Sequence, residues 1–195
     1  MTLVNSQFPT PNSQRTWPVL FGFWVLGFGI YVGAQGLSRE EALAQVYPGA
    51  TIRAEQIFLT PAQVSEVARR AGTGPGSALI ARYLAAREGQ VIGRAYVDTH
   101  VVRTKRESLL ISLDGQRRVI RVDVTAFLEP AEFRAPAPWL GQYRGRELDD
   151  DLAINRAIRP IAGATLTARA ANNAVRRVLA IDALLSGSSG SEDLQ

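Results

Sequence analysis

The segment whose residue types and spacing point to chemistry is Ile161-Ala162-Gly163-Ala164-Thr165-Leu166-Thr167, placed where a loop runs into the last long amphipathic stretch of the chain. A helix that starts here leaves its first amide N–H groups without intrahelical acceptors, and those donors together with the helix dipole favour an anion such as phosphate. Gly163 and Ala164 let a ligand come close to the backbone, and Thr165 puts a hydroxyl at the same point. The plain alternative is that Thr165 is the N-cap of an ordinary amphipathic helix. Gly49-Ala50-Thr51 repeats the tripeptide, so the three residues by themselves do not define a site.

Other candidates are weaker. The chain has no cysteine, which removes disulfides, thiolate nucleophiles, Cys-held iron–sulfur clusters and Cys-based zinc sites. Its one histidine, His100, is by type more often structural than catalytic. Glu147, Asp149, Asp150 and Asp151 precede Leu152, Ile154 and Ile158, a pattern that predicts the acidic first turn of a helix; no histidines converge on it to suggest a metal site. Trp139 and Tyr143 read as core aromatics. The formal charge is +4, but the basic residues are spread out, and the densest run, Arg103-Thr104-Lys105-Arg106, reads as a solvated loop between strands. A nucleic-acid partner is not expected.

The elements that must position the segment begin after an apolar stretch. Trp17 to Ala34 carries no charged or strongly polar side chain, close to the roughly 20 residues that cross a bilayer as a helix. Trp17 and Tyr31 sit where aromatic rings favour the interface, and Gly29 and Gly33 are spaced for close helix contact. The reading is a cytoplasmic segment over 1–16, a transmembrane anchor over 17–37, an exported domain over 38–185 and a flexible tail over 186–195. Arg15 before the span sets the N-terminus inside. A cleaved signal peptide ending at Val32-Gly33-Ala34 is the rival reading.

In the domain, Ser38 with Glu41 predicts a capping box and a helix ending at Pro48-Gly49, and Thr60-Pro61 starts a second helix to Arg70. Residues 51–59 alternate only partly. Strands are predicted over 78–87 and 91–102 about a tight turn at Glu88-Gly89-Gln90, and over 108–113 and 118–127 about Asp114-Gly115. Prolines 130, 136 and 138 make the next stretch loops and short helical turns. The last helix spans about 165–185, with Leu166, Ala170, Ala174, Val178, Ile181 and Leu185 as its apolar stripe and Arg169, Asn173 and Arg176 facing away. The fold class is α+β: an antiparallel sheet of paired hairpins flanked by helices.

In this order of elements, and in Gly163-Ala164-Thr165 followed by Thr167, the chain resembles the FMN-binding domain family, the covalently flavinylated domains of the Rnf complex, the sodium-pumping NADH:quinone reductase and the NosR-type regulators. That family has a Ser/Thr-Gly-Ala-Thr segment, followed one residue later by Ser or Thr, just before a C-terminal helix. The resemblance implies that a flavin transferase joins FMN through its phosphate to Thr165, with Gly163, Ala164, Leu166 and Thr167 around the linkage. It further implies that Glu129 and Glu132, in the loop from Leu128 to Phe133, lie near the isoalloxazine, with the turn from His100 to Glu107 bordering it. The protein would then be an electron carrier more than a stand-alone enzyme, with its domain on the periplasmic side of the cytoplasmic membrane and other subunits of a membrane redox complex as partners. The chain departs from the family pattern at Ala162, where Ser or Thr is usual, and at Arg159, where an acidic residue is usual. These departures keep a second reading open, an accessory or assembly subunit of the same fold without bound flavin.

Overall fold

The computed structural model describes residues 37–188. The expected segment 1–16 and nearly all of the expected anchor lie outside the described residues, and no helix among the described residues is long and apolar enough to cross a membrane. Two short helices form where their caps predict. Helix α1 (Arg39–Val46) starts at Ser38, whose hydroxyl accepts the Glu41 N–H at 3.2 Å while the Glu41 carboxylate accepts the Ser38 N–H at 3.0 Å. Helix α2 (Pro61–Ala71) repeats the device with Thr60 and Gln63, has proline in its first turn, and ends on Gly72 at φ +73°. Each box satisfies donors that a bare helix start leaves open.

Five strands, β1 (Thr51–Phe58), β2 (Leu79–Arg87), β3 (Gln90–Val101), β4 (Arg106–Asp114) and β5 (Val119–Phe127), pair antiparallel in chain order. The two expected hairpins are present, and β1 adds an edge strand whose mostly exposed side chains explain its weak alternation. Glu88 and Gly89 both have positive φ, the conformation of a two-residue type I′ turn that matches strand twist. The second hairpin turns more slowly than Asp114-Gly115 suggests. The Asp114 carboxylate accepts the Gln116 and Arg118 N–H groups, and Arg117, not Gly115, takes the left-handed conformation.

Helix α4, the next long helix, spans Thr165–Ser188, past the expected end at Leu185; a four-residue helix, α3 (Ala137–Leu140), precedes it. Helices α2 and α4 cover one face of the sheet, where Tyr96, Leu109 and Ile111 meet Val175, Val178 and Ile181. On the other face α1 sets Ala42, Leu43 and Tyr47 on Ala85, Ala95 and Leu110. The predicted stripe of α4 is buried at Ala174, Val178, Ile181 and Leu185, but so are Ala171, Val175, Leu179 and Ala180, because neighbours flank the helix as well as underlie it. Arg176 therefore does not face away: its guanidinium donates to the carbonyls of Ala71, Asp149 and Leu152 at 2.8 to 3.0 Å.

The stretch before α4 forms short turns through Tyr143, as its prolines predict. The helix expected from Glu147 onward does not form. Leu152 and Ile158 are fully buried there, and the chain reverses between them at Asn155, φ +66°. The Asp149 carboxylate accepts the Leu152 N–H at 2.7 Å and the Ile158 carbonyl accepts the Asn155 N–H at 2.9 Å. Aspartate side chains compete with helix for nearby amides, and here the turn wins because it sends two apolar side chains into the core within seven residues.

Tyr47 anchors α1 through a gap in the sheet. A Cβ on Gly93 would stand 2.4 Å from Tyr47 Cε1 and 2.6 Å from the Leu113 carbonyl oxygen. The ring uses the space that glycine leaves, and its hydroxyl lies 2.7 and 2.8 Å from the carbonyl oxygens of Arg94 and Leu113.

Candidate functional site

The start of α4 is not capped by a side chain. Thr165 is its first helical residue, and the preceding cap position belongs to Ala164, whose carbonyl accepts the Ala168 N–H at 3.0 Å. Alanine has no acceptor to offer the first turn, and among the described residues no acceptor is recorded for the amides of Thr165, Leu166 and Thr167. The reading of Thr165 as an ordinary N-cap is thereby excluded: its hydroxyl lies in an exposed residue of the first turn, beside open amides. Gly163 holds φ +76° with nothing within 4 Å of an added Cβ. The tight turn needs this glycine's backbone freedom, and solvent-side space lies next to it. The duplicate Gly49-Ala50-Thr51 has another setting, with Thr51 opening the edge strand β1.

A cavity of about 220 Å³ opens at this helix start, lined by Val102, Arg103, Glu129, Phe133 and the run Gly163 to Thr167. Of the residues that the sequence singles out, Gly163, Ala164, Thr165, Leu166, Thr167 and Glu129 come together in it. Glu132 does not; it is exposed on the short turn Ala131–Phe133. Thr167 is buried and donates its hydroxyl to the Phe133 carbonyl at 2.8 Å, tying the loop after β5 to the helix. Leu166 remains 43% exposed, an apolar side chain at the cavity mouth.

Glu129 lines the cavity and also has a structural task. Its Oε1 accepts the backbone N–H groups of Thr104, Lys105 and Arg103 at 2.7, 2.8 and 3.2 Å. Those donors hold its carboxyl below the usual carboxylate range. Glu129 thus fixes the β3–β4 turn and sets Arg103 at the cavity, with the guanidinium carbon 5.4 Å from the Phe133 ring centroid. Val102 and Arg103 come from the turn between His100 and Glu107, which the resemblance places at the border of the site; neither is singled out by residue, since the basic run around them has the pattern of any solvated turn.

Four other residues named from the sequence fall outside the cavity. Arg169 is exposed, one turn into α4. Tyr143 is fully buried with its hydroxyl 3.2 Å from Asn172 Oδ1, and Trp139 packs edge-on to it at 5.7 Å while donating Nε1–H to the Arg159 carbonyl. Both are core residues. His100 is mostly buried, one strand step from Val102, between Asp98 and Glu107.

What the cavity can do follows from its parts. Open amides, a helix N-terminus and Arg103 suit a phosphate; Phe133, Val102 and Leu166 suit an apolar ring edge. The volume falls below the roughly 300–1,000 Å³ that encloses a whole small ligand, so a larger group would keep part of itself outside. The lining residues would suit a tethered group that carries both a phosphate and an aromatic ring. Comparisons with known proteins find no family model that matches the chain, and no curated protein or solved structure similar to it.

Proposed function

We propose that this chain is an electron-transfer flavoprotein carrying FMN joined through its phosphate to Thr165. The observation that carries the reading is an exposed threonine in the uncapped first turn of α4, facing a cavity with both cationic and apolar walls. The resemblance to the FMN-binding domain family adds the cofactor's identity, the flavin transferase that forms the phosphoester on Thr165, and a place within or beside a membrane redox complex. In the same reading residues 17–37 anchor the chain in the cytoplasmic membrane, with the domain on its periplasmic or extracytoplasmic side.

The flavin supplies the redox chemistry when bound. The chain's own groups position it. The amides of Thr165, Leu166 and Thr167 and the Arg103 guanidinium offset the phosphodiester charge, and Phe133, Val102 and Leu166 exclude water from the ring edge. No general acid, base or nucleophile acting on a substrate is assigned.

A second reading, a flavin-free accessory subunit, draws on Ala162 and Arg159. Both are exposed, so the domain's packing does not depend on them, and a transferase that recognises a hydroxyl and a carboxylate there meets neither. One pair of variants tests the main reading. Thr165→Ala abolishes covalent flavin, while Thr51→Ala, altered at the same tripeptide on the edge strand, keeps it, as read by denaturing-gel fluorescence. Equal loss from both variants contradicts the assignment.

A further inference from the structure

Behind the cavity lies a cluster of charged groups that the reading above leaves without a task. His100 Nδ1 is 2.8 Å from Asp98 Oδ1, and His100 Nε2 is 3.0 Å from Glu107 Oε2. Arg177 of α4 grips Asp98 with two N–H donors at 2.9 and 2.7 Å. Glu107 is 0% exposed, and its second oxygen, Oε1, has no hydrogen-bond partner. Asp98 from β3, Glu107 from β4 and, through Asp98, Arg177 from α4 are the charged groups that face the ring among the described residues.

Both ring nitrogens meet carboxyl oxygens. A neutral imidazole has one donor and one acceptor, and an ionised carboxylate only accepts, so the arrangement requires one proton beyond those of a neutral ring and two carboxylates. That proton is held by the Asp98–His100–Glu107 chain as a whole. With it, two carboxylates meet two cations; without it, Arg177 alone faces both, and the buried cluster gains a net negative charge. Burial disfavours the charged ring, but the hydrogen bonds and charges of Asp98 and Glu107 outweigh this and raise the His100 pKa above its ordinary value.

The cluster adjoins the cavity by register. His100 pairs with Glu107 across β3 and β4, and cavity-lining Val102 follows His100 by two residues, at the turn that joins these two strands. A buried charged group this near in the chain to the cavity wall is screened by salt less than an exposed one.

We propose that Asp98, His100, Glu107 and Arg177 form a proton-holding site beneath the cavity, which takes one proton from solvent when negative charge enters the cavity and returns it when that charge leaves. Only this proton moves, to and from water, and no bond is made or broken with the ligand. The proposal rests on the cavity being the functional site, not on which anion fills it. Under the flavin reading, His100 is a positioning residue that makes the pH dependence of the potential steeper as the pH passes through its own titration.

The chain's single histidine makes the test direct, because the imidazole resonances in an NMR titration of the untagged full-length chain report His100 without assignment. Before any flavin is loaded, Thr165→Asp is compared with Thr165→Asn, and Leu166→Glu with Leu166→Gln. Each added carboxylate is expected to raise the His100 midpoint by about half a pH unit over its neutral partner, and Glu107→Gln to lower the wild-type midpoint. Equal midpoints within both pairs overturn the proposal, and these arms need no cofactor. In the flavin-loaded chain the midpoint rises on reduction, and an unchanged midpoint overturns the coupling while leaving the flavin assignment intact.

Discussion

Glu129 lines the cavity and at the same time holds together a turn at its edge. The loop after β5 does lie at the cavity, as the resemblance implies, but the carboxylate is spent on three backbone amides of the β3–β4 turn. Its consequence is measurable. Glu129→Gln loses the charged acceptor, and amide exchange at Arg103, Thr104 and Lys105 is expected to speed up at least several-fold, with slower exchange elsewhere unchanged. The pH dependence has one sign: a carboxylate with a depressed folded pKa orders the turn above its ordinary value of 4.5 and stops doing so as the pH falls through the folded value. Thr165 was legible because a small-residue turn before a long apolar stripe is a local signal. The turn that carries Arg103 was expected at the site, but the contact of Arg103 with Phe133 was not legible, because it depends on where two turns about 30 residues apart in sequence meet.

Among the elements, helix caps and hairpins were legible, since Ser38, Thr60, Pro61 and Gly89 act on neighbours a few residues away. Contacts across the sheet were not. Nothing near Tyr47 or Gly93 in sequence points to the other residue, yet the ring occupies the space that the glycine leaves. Gly93→Ala forces either the ring or the Leu113 carbonyl to move and is expected to cost about 1–3 kcal/mol in denaturant unfolding; Tyr47→Phe, which keeps the ring and removes the hydroxyl, is expected to cost about 1 kcal/mol. The acidic stretch at Glu147 misled for a related reason, because Leu152 and Ile158 have distant partners in the core that outweigh the local helix signal. The uncapped start of α4 gives a prediction of opposite signs. Ala164→Ser supplies the missing acceptor and is expected to stabilise the helix by about 0.5–1 kcal/mol, while competing with a phosphate for the same amides. Thermal unfolding should therefore shift up as flavin loading goes down.

At the scale of the whole molecule, the sheet's two faces are unequal: α2 and α4 close the larger core, and the ion cluster on β3, β4 and α4 bridges that side at the cavity end. Its contribution to stability has a window. Asp98 is held below its ordinary 3.8, where hydrogen bonds to His100 and Arg177 overcome burial, so its share is lost as the pH falls through that lowered value. His100, raised above 6.5, contributes fully below that value and loses its share as the pH rises through the folded one. Denaturant unfolding across pH is expected to show stability declining on the alkaline side in the wild type and a flatter profile in His100→Gln. The α+β class and the two hairpins followed from sequence; the edge strand β1 and the turn that replaces the helix expected from Glu147 did not, because both depend on partners far away in the chain.

The covalent state of the full chain, exported from cells that also make its flavin transferase, decides whether this domain is a flavoprotein. Intact mass with fluorescence of the denatured band reads it in one experiment. A fluorescent band heavier by one FMN less one water, mapping to the peptide that contains Thr165, is the expected result. A dark band at the unmodified mass, from cells that flavinylate a control protein, contradicts it.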